Sequence, residues 1–160
     1  MSGDEASSYN NPNEVWLHGK GAWLAYILLL VVLRLAFASV PFLSVPVSFT
    51  LTNVVHNMLS FYLFHLMRGT PFVSADQGES ARLTQWEQID AGAQFTNTRK
   101  FLAAIPIVLF LLTSHYTEYD PVLFAINFVS LCIVMVAKLP QMHKVRLFWF
   151  FGRKFVDHEK

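Results

Sequence analysis

The spacing of charged residues constrains this chain more than any other feature. Between Lys20 and Arg68 the only charged side chain is Arg34, and Phe101–Thr117 and Pro121–Ala137 contain none. A water-soluble domain carries close to ~25% charged residues, spread so that each surface element is solvated. Here 14% are charged against 54% apolar and 15% aromatic, and the charges fall in blocks. Runs this long without charge are solvated by lipid. The pattern predicts an all-α, polytopic membrane protein and excludes a disordered chain, a coiled coil and a basic nucleic-acid-binding domain, so no nucleic-acid partner is expected. Cys132 is the single cysteine and lies inside an apolar run, which rules out an internal disulfide framework.

Five segments follow. Residues 1–20 form a polar arm, acidic at Asp4, Glu5 and Glu14, without the basic-then-apolar order of a cleavable signal peptide, and are expected to remain in the mature protein as a flexible arm. Residues 21–67 read as a first transmembrane hairpin: Gly21–Val40 and Val47–Met67, with Pro41 and Pro46 bracketing a sharp reversal. A helix needs ~20 apolar residues to cross ~30 Å of hydrocarbon. Residues 68–100 form a hydrophilic loop, and residues 101–137 a second hairpin whose runs, Phe101–Ser114 and Pro121–Ala137, are only 14 and 17 residues long and suit a thin bilayer. Residues 138–160 are a basic tail. Eleven of the twelve Lys and Arg fall in the arm, the central loop and the tail, and none in the two opposite turns. The positive-inside rule therefore places both termini and the loop on the cytosolic side. The twelfth base, Arg34, is long enough to snorkel toward the far interface. Within the loop, Asp76 and Glu79 have the spacing of a capping box. Leu83 and Trp86 share a face with Glu87 and Asp90 directed elsewhere, so a short amphipathic helix on the membrane surface is expected, its carboxylates solvated.

The polar residues inside the spans are few. Asn53, His56, Asn57 and Ser60 recur at i, i+3, i+4 and i+7, which puts two amides, an imidazole and a hydroxyl on one helical stripe. Such groups are costly in lipid and must face other helices, a partner or a polar ligand. Interhelical hydrogen bonding is the ordinary reading; a site for a lipid headgroup is the sharper one. The six histidines lack the i, i+4 spacing or His/Glu boxes that would converge on a metal, so no metal site is expected. No phosphate loop, nucleophile elbow or reactive cysteine motif is present. The residues alone favour binding over catalysis and predict no enzyme.

Several strings go further: Asn11-Pro12-Asn13, Gly21-Ala22-Trp23, Thr52-Asn53 with His56-Asn57, Gly69-Thr70-Pro71-Phe72, Asp76-Gln77-Gly78, Trp86-Glu87-Gln88 with Asp90, Arg99-Lys100-Phe101-Leu102, and Lys138-Leu139-Pro140 with His143-Lys144-Val145-Arg146. In this order the chain resembles the Orm/ORMDL family from about Asn11 to Phe148. The resemblance implies a four-span protein of the endoplasmic reticulum membrane, with both termini cytosolic, that binds the serine palmitoyltransferase complex and restrains sphingolipid synthesis when ceramide is abundant. It implies no cofactor of the chain's own, since pyridoxal phosphate belongs to the partner enzyme. By the same resemblance, ceramide contacts fall on Asn13. Further lipid or partner contacts fall on Asn11, Pro12, Trp23, Asn53, His56, Asn57, Tyr62 and Gln85, the last standing where animal relatives often carry a histidine. Fungal relatives are switched by phosphorylation in a longer serine-rich arm, which makes Ser2, Ser7 and Ser8 the candidate phosphorylation sites. The tail Trp149–Lys160 departs from the family pattern. The alternative function is an assembly or trafficking scaffold of the endoplasmic reticulum membrane that acts on lipid metabolism indirectly.

Overall fold

The computed structural model describes residues 15–19, 21–69 and 81–143. The arm before residue 15, with Ser2, Ser7, Ser8, Asn11, Pro12 and Asn13, lies outside the described residues. So do residues 70–80, with the Asp76–Glu79 spacing, and the tail from residue 144.

Among the described residues every regular element is helical. A single turn, α1 (Val15–His18), precedes α2 (Ala22–Ala38), α3 (Val45–Phe61), α4 (Gln85–Gln88), α5 (Asn97–Tyr116) and α6 (Pro121–Lys138). Each boundary has a local cause. Gly21, at φ 89°, is the left-handed entry to α2. Pro46 sits in the first turn of α3, where its missing N–H costs nothing, so the helix starts at Val45, two residues ahead of the expected Val47. The Thr96 hydroxyl accepts from the Arg99 N–H at 3.3 Å and starts α5 upstream of Phe101. Asp120 accepts from the Val122 and Leu123 N–H groups at 3.0 and 2.9 Å and starts α6, whose first residue is Pro121.

The observed ends correct the expected lengths. The runs that looked short, at 14 and 17 residues, become helices of 20 and 18 residues, and these two are long and apolar enough to cross a membrane. The polar first turn of α5, Asn97–Lys100, its last residues His115 and Tyr116, and Lys138 at the end of α6 supply the added length. Helix α2 has 17 residues, while α3 has 17 followed by a π-helical turn, Tyr62–Leu66, closed by Met67 N–H donating to the Tyr62 carbonyl at 3.0 Å.

Helix α3 is the hub, packing against α2, α5 and α6, with α5 also against α6. The chain reverses between α2 and α3 and again between α5 and α6. This brings the start of α2, the end of α3, residues 81–96, the start of α5 and the end of α6 to one end of the bundle. The burial pattern is inverted relative to a soluble bundle. Helix α2 buries no residue completely, and the buried residues of α3 are all polar: Ser48, Thr50, Thr52, Asn53, His56, Asn57 and Ser60. Large apolar side chains such as Leu24, Leu29, Val32, Leu111 and Val122 face outward, as a lipid-solvated bundle requires. The compact apolar core, Leu17, Phe64, Trp86, Ile89 and Leu102, lies at the loop-bearing end.

The segment expected to lie as an amphipathic helix on the membrane is instead packed against the bundle. Helix α4 is one turn long, with Trp86, Glu87 and Gln88 all buried. Glu87, expected in solvent, closes a capping box: its Oε2 accepts from the Thr84 N–H at 2.8 Å, and its own N–H donates to the Thr84 hydroxyl at 3.3 Å. Asp90, also expected in solvent, places Oδ1 3.4 Å from His18 Nε2. The capping bond consumes the charge that the amphipathic reading assigned to water.

Candidate functional site

Two polar clusters organise the bundle, one in its middle and one at the loop-bearing end. The first grows from the α3 stripe. The Tyr26 hydroxyl on α2 lies 2.8 Å from His56 Nε2, and His56 Nδ1 lies 3.1 Å from Asn57 Oδ1. The Asn57 amide donates to Ser130 Oγ on α6 at 2.9 Å and to Asn53 Oδ1 at 3.4 Å. Asn53 Nδ2 donates to Asn127 Oδ1 at 2.7 Å, and Asn127 Nδ2 donates to Thr50 Oγ1 at 3.0 Å and to the Leu123 carbonyl at 2.7 Å. With the three amides oriented this way, the bonds run in one direction. The tyrosine donates to Nε2, Nδ1–H donates to Asn57, and each amide hands its donors to the next oxygen. Asn53 and Asn127 are wholly buried. The cluster ties α2 and α6 to α3, and its internal bonds give the ordinary reading of the stripe concrete form.

The second cluster is built on Trp86. Lys138 Nζ at the end of α6 lies 4.3 Å from the Trp86 ring centroid and 5.1 Å from that of Phe64. Lys138 is buried, and its ammonium has no hydrogen-bond partner among the described residues. Its contacts are cation–π, which strengthen when desolvated. The Arg99 guanidinium lies 5.1 Å from the same indole; Nη2 donates to the Trp86 and Ile89 carbonyls at 2.8 and 3.3 Å, and Nη1 to Gln94 Oε1 at 2.9 Å. The π turn sets Phe64 edge-on to Trp86, at 6.2 Å and 79°, and brings the His65 ring to 5.4 Å. π turns recur at functional sites because they re-aim side chains in this way. The loop's other anchor is the Gly69 carbonyl, which accepts from Gln85 Nε2 at 2.9 Å and Gln88 Nε2 at 3.4 Å, beside an antiparallel bridge between Arg68 and Thr84.

The candidates therefore separate. Asn53, His56 and Asn57 are brought together in the interior. Gln85 belongs to the loop anchor, Trp23 stacks on Phe101 at 4.6 Å and 6°, and Tyr62 is exposed at the start of the π turn. Asn11, Pro12 and Asn13 lie outside the described residues. Arg34, expected to snorkel, sets its guanidinium 3.8 Å from the Phe49 ring centroid, and Phe49 stacks on Tyr116 at 4.1 Å. Tyr26, Asn127, Ser130 and the Trp86–Lys138–Arg99 group were absent from the sequence candidates. Asn127 and Ser130 carried a signal, an i, i+3 polar pair in an otherwise apolar helix. No cluster of three or more His, Cys, Asp or Glu that could hold a metal occurs among the described residues.

The ORMDL family model matches residues 11–146, which spans both clusters and reaches into the arm. The chain belongs to the ORMDL family. It is 52% identical to ORM1-like protein 2 of Bos taurus over 143 residues, 89% of this chain and 94% of the relative. It is 49% identical to ORM1-like protein 3 of Homo sapiens over 148 residues, 92% of this chain and 97% of the relative. ORM1-like protein 2 of Gallus gallus is 50% identical over 143 residues, 89% of this chain and 94% of the relative. The residues that match the ORMDL family include every structured element described above.

Proposed function

We propose that this ORMDL protein is a ceramide-responsive regulatory subunit that lowers the flux of serine palmitoyltransferase, held in the endoplasmic reticulum membrane by α2, α3, α5 and α6 as four spans with both termini cytosolic. Family membership over residues 11–146 is the observation that carries this reading, because the matched span begins on Asn11-Pro12-Asn13. The burial pattern supports it: the polar groups of the bundle are spent on helix–helix bonds, which leaves the arm and the loop-bearing end to meet a partner. Asn13 is the ceramide contact in this proposal. Its amide offers a donor and an acceptor to the hydroxyl and amide of a sphingoid headgroup. Asn11, Pro12, Trp23, Tyr62 and Gln85 are secondary contacts, and Ser2, Ser7 and Ser8 are sites where a phosphate would alter the charge of the arm. The protein contributes no cofactor; pyridoxal phosphate is the partner's. Coupling is allosteric if ceramide binds the arm-docked state better than the undocked one. Long-chain-base synthesis in membranes containing the complex, measured with and without a short-chain ceramide, tests the reading. Wild type is inhibited by ceramide and Asn13→Ala is not; equal inhibition of both removes Asn13 from the site.

A further inference from the structure

At the end of the bundle away from the loop, α2, α3 and α5 meet in one stack of side chains. The Arg34 guanidinium on α2 lies 3.8 Å from the Phe49 ring centroid on α3, and that ring lies 4.1 Å from Tyr116 at the end of α5, with the two rings 5° from parallel. Arg34 is four residues inside the end of α2 and Phe49 four inside the start of α3, about 6 Å from either helix end. The cation is therefore held over an aromatic platform, within reach of the interface. It lacks hydrogen bonds. Nη1 is buried without a partner, and the guanidinium makes no hydrogen bond or ion pair with any described residue. The helices supply no counter-charge, since α2, α3, α5 and α6 contain no Asp or Glu. In the turn after α5, Asp120 is engaged as the cap of α6, and Glu118 is exposed and unpaired with Arg34. An aromatic face attracts the charge but offers no lone pair to the N–H donors, so a guanidinium at membrane depth still calls for an anionic acceptor.

We propose that the Arg34–Phe49–Tyr116 stack binds the phosphate of a phospholipid in the leaflet at this end of the bundle. The planar guanidinium presents paired N–H groups to two phosphate oxygens. Phe49 fixes the arginine in place beforehand, which reduces the entropy lost when the lipid docks. The surroundings select a lipid as the source of the phosphate. Val31 and Leu35, one turn apart on α2 and flanking Arg34, are exposed and receive acyl chains. Tyr116 is exposed as well and stands where aromatic residues mark the headgroup level. The proposal rests on the reading of α2, α3 and α5 as membrane spans.

The test uses the full-length protein, delipidated in a neutral, phosphate-free detergent and titrated with dioleoyl phosphatidic acid, dioleoylglycerol or glycerol phosphate, with bound molecules counted by native mass spectrometry. Bases in the loop and the tail also attract phosphate, so the readout is the molecule lost on Arg34→Leu. Wild type is expected to hold one phosphatidic acid more than Arg34→Leu, at least tenfold more tightly than either other ligand, the size of one hydrogen bond to a charged group. Phe49→Leu, which keeps the cation and removes its platform, is expected to weaken that binding severalfold. Helical circular dichroism of each variant separates loss of the site from loss of fold; if Arg34→Leu unfolds, Phe49→Leu and the comparison of the three ligands still decide. Glycerol phosphate binding as tightly as phosphatidic acid overturns the lipid source. Dioleoylglycerol matching phosphatidic acid, or a folded Arg34→Leu that binds as many molecules as wild type, overturns the site. A folded Phe49→Leu that binds like wild type overturns the stack and leaves a lone charge at the interface. Release of the wild-type protein from native membranes by alkaline carbonate overturns the span reading itself, an outcome distinct from an embedded protein that takes no phosphatidic acid at Arg34.

Discussion

Asn127→Ala is the sharpest test of how the bundle is held together. Asn127 is wholly buried, accepts from Asn53 Nδ2 at 2.7 Å and donates to Thr50 Oγ1 at 3.0 Å. Truncation removes both of its bonds to α3 and leaves Asn57 Nδ2 to Ser130 Oγ at 2.9 Å between α3 and α6. Interhelical hydrogen bonds in membrane proteins average ~0.6 kcal/mol and reach ~1.7 kcal/mol, so the pair contributes about 1–3 kcal/mol. It also leaves the Nδ2 donor of the wholly buried Asn53 without an acceptor, at about 1–3 kcal/mol more. The expected loss is therefore about 2–5 kcal/mol. It can be read from reversible unfolding in mixed micelles with increasing SDS mole fraction, followed by circular dichroism. Leu28→Ala on the exposed face of α2 is the control, with an expected change below about 0.5 kcal/mol since its side chain is already 54% exposed. A double-mutant cycle with Asn53→Ala should return a coupling of ~0.6–1.7 kcal/mol. A loss for Asn127→Ala no greater than that for Leu28→Ala, or zero coupling with Asn53, would refute the claim that this network joins α3 to α6.

Three further outcomes follow from the loop-bearing end and the turns. Trp86→Ala should cost about 3–5 kcal/mol, because it opens a cavity and strips Lys138 of the nearer of its two rings. Lys138→Met, which keeps the stem and removes a buried cation without a hydrogen bond, should leave the thermal midpoint unchanged or raised; a drop as large as that of Trp86→Ala would show that an unseen anion pairs with the lysine. Thr84→Val deletes the hydroxyl half of the capping box and should cost about 0.5–2 kcal/mol, visible as faster amide exchange across residues 85–90 with α5 and α6 unaffected. In a Cys132→Ala background, His115→Cys in the turn after α5 should react with a membrane-impermeant thiol reagent only when the lumenal side is opened; reaction from the cytosolic side would break the four-span topology.

The polar stripe of α3 was legible because isolated polar residues in an apolar run betray their helical face by spacing alone. Its partners were not, because Tyr26 and Asn127 reach His56 and Asn53 from other helices, and one-dimensional spacing carries no information about which helices touch. The helices were legible to within about a turn, and the differences at the starts of α3 and α5 have one cause. Apolar runs mark where a helix is solvated by lipid, whereas Thr96, Asp120 and Pro46 mark where the backbone starts to bond. Caps extended α5 upstream and let α3 begin at Val45. The α4 segment misled for a different reason. An amphipathic pattern assumes that a carboxylate seeks water, but Glu87 has a nearer acceptor role at the Thr84 backbone. The Thr84-x-x-Glu87 spacing is itself a capping-box pattern in the sequence. Lys138 entered the charge count as one more base while its environment stayed invisible, since Phe64 and Trp86 come from distant parts of the chain.

This division of labour also separates two kinds of defect. The residues of the interior network bond to one another, so substitutions at Asn53, His56, Asn57 or Asn127 act through the folded population. They should lower the amount of protein in the membrane while each surviving molecule responds normally. Substitutions in the arm, at Asn11 or Asn13, fall outside the described bundle and should leave abundance intact while changing the response to ceramide. A plot of response per molecule against abundance would then place the two groups on different axes. If the arm and the stripe instead fall on one line, the bundle interior takes part in sensing, and the stripe's bonds are a switch rather than a frame.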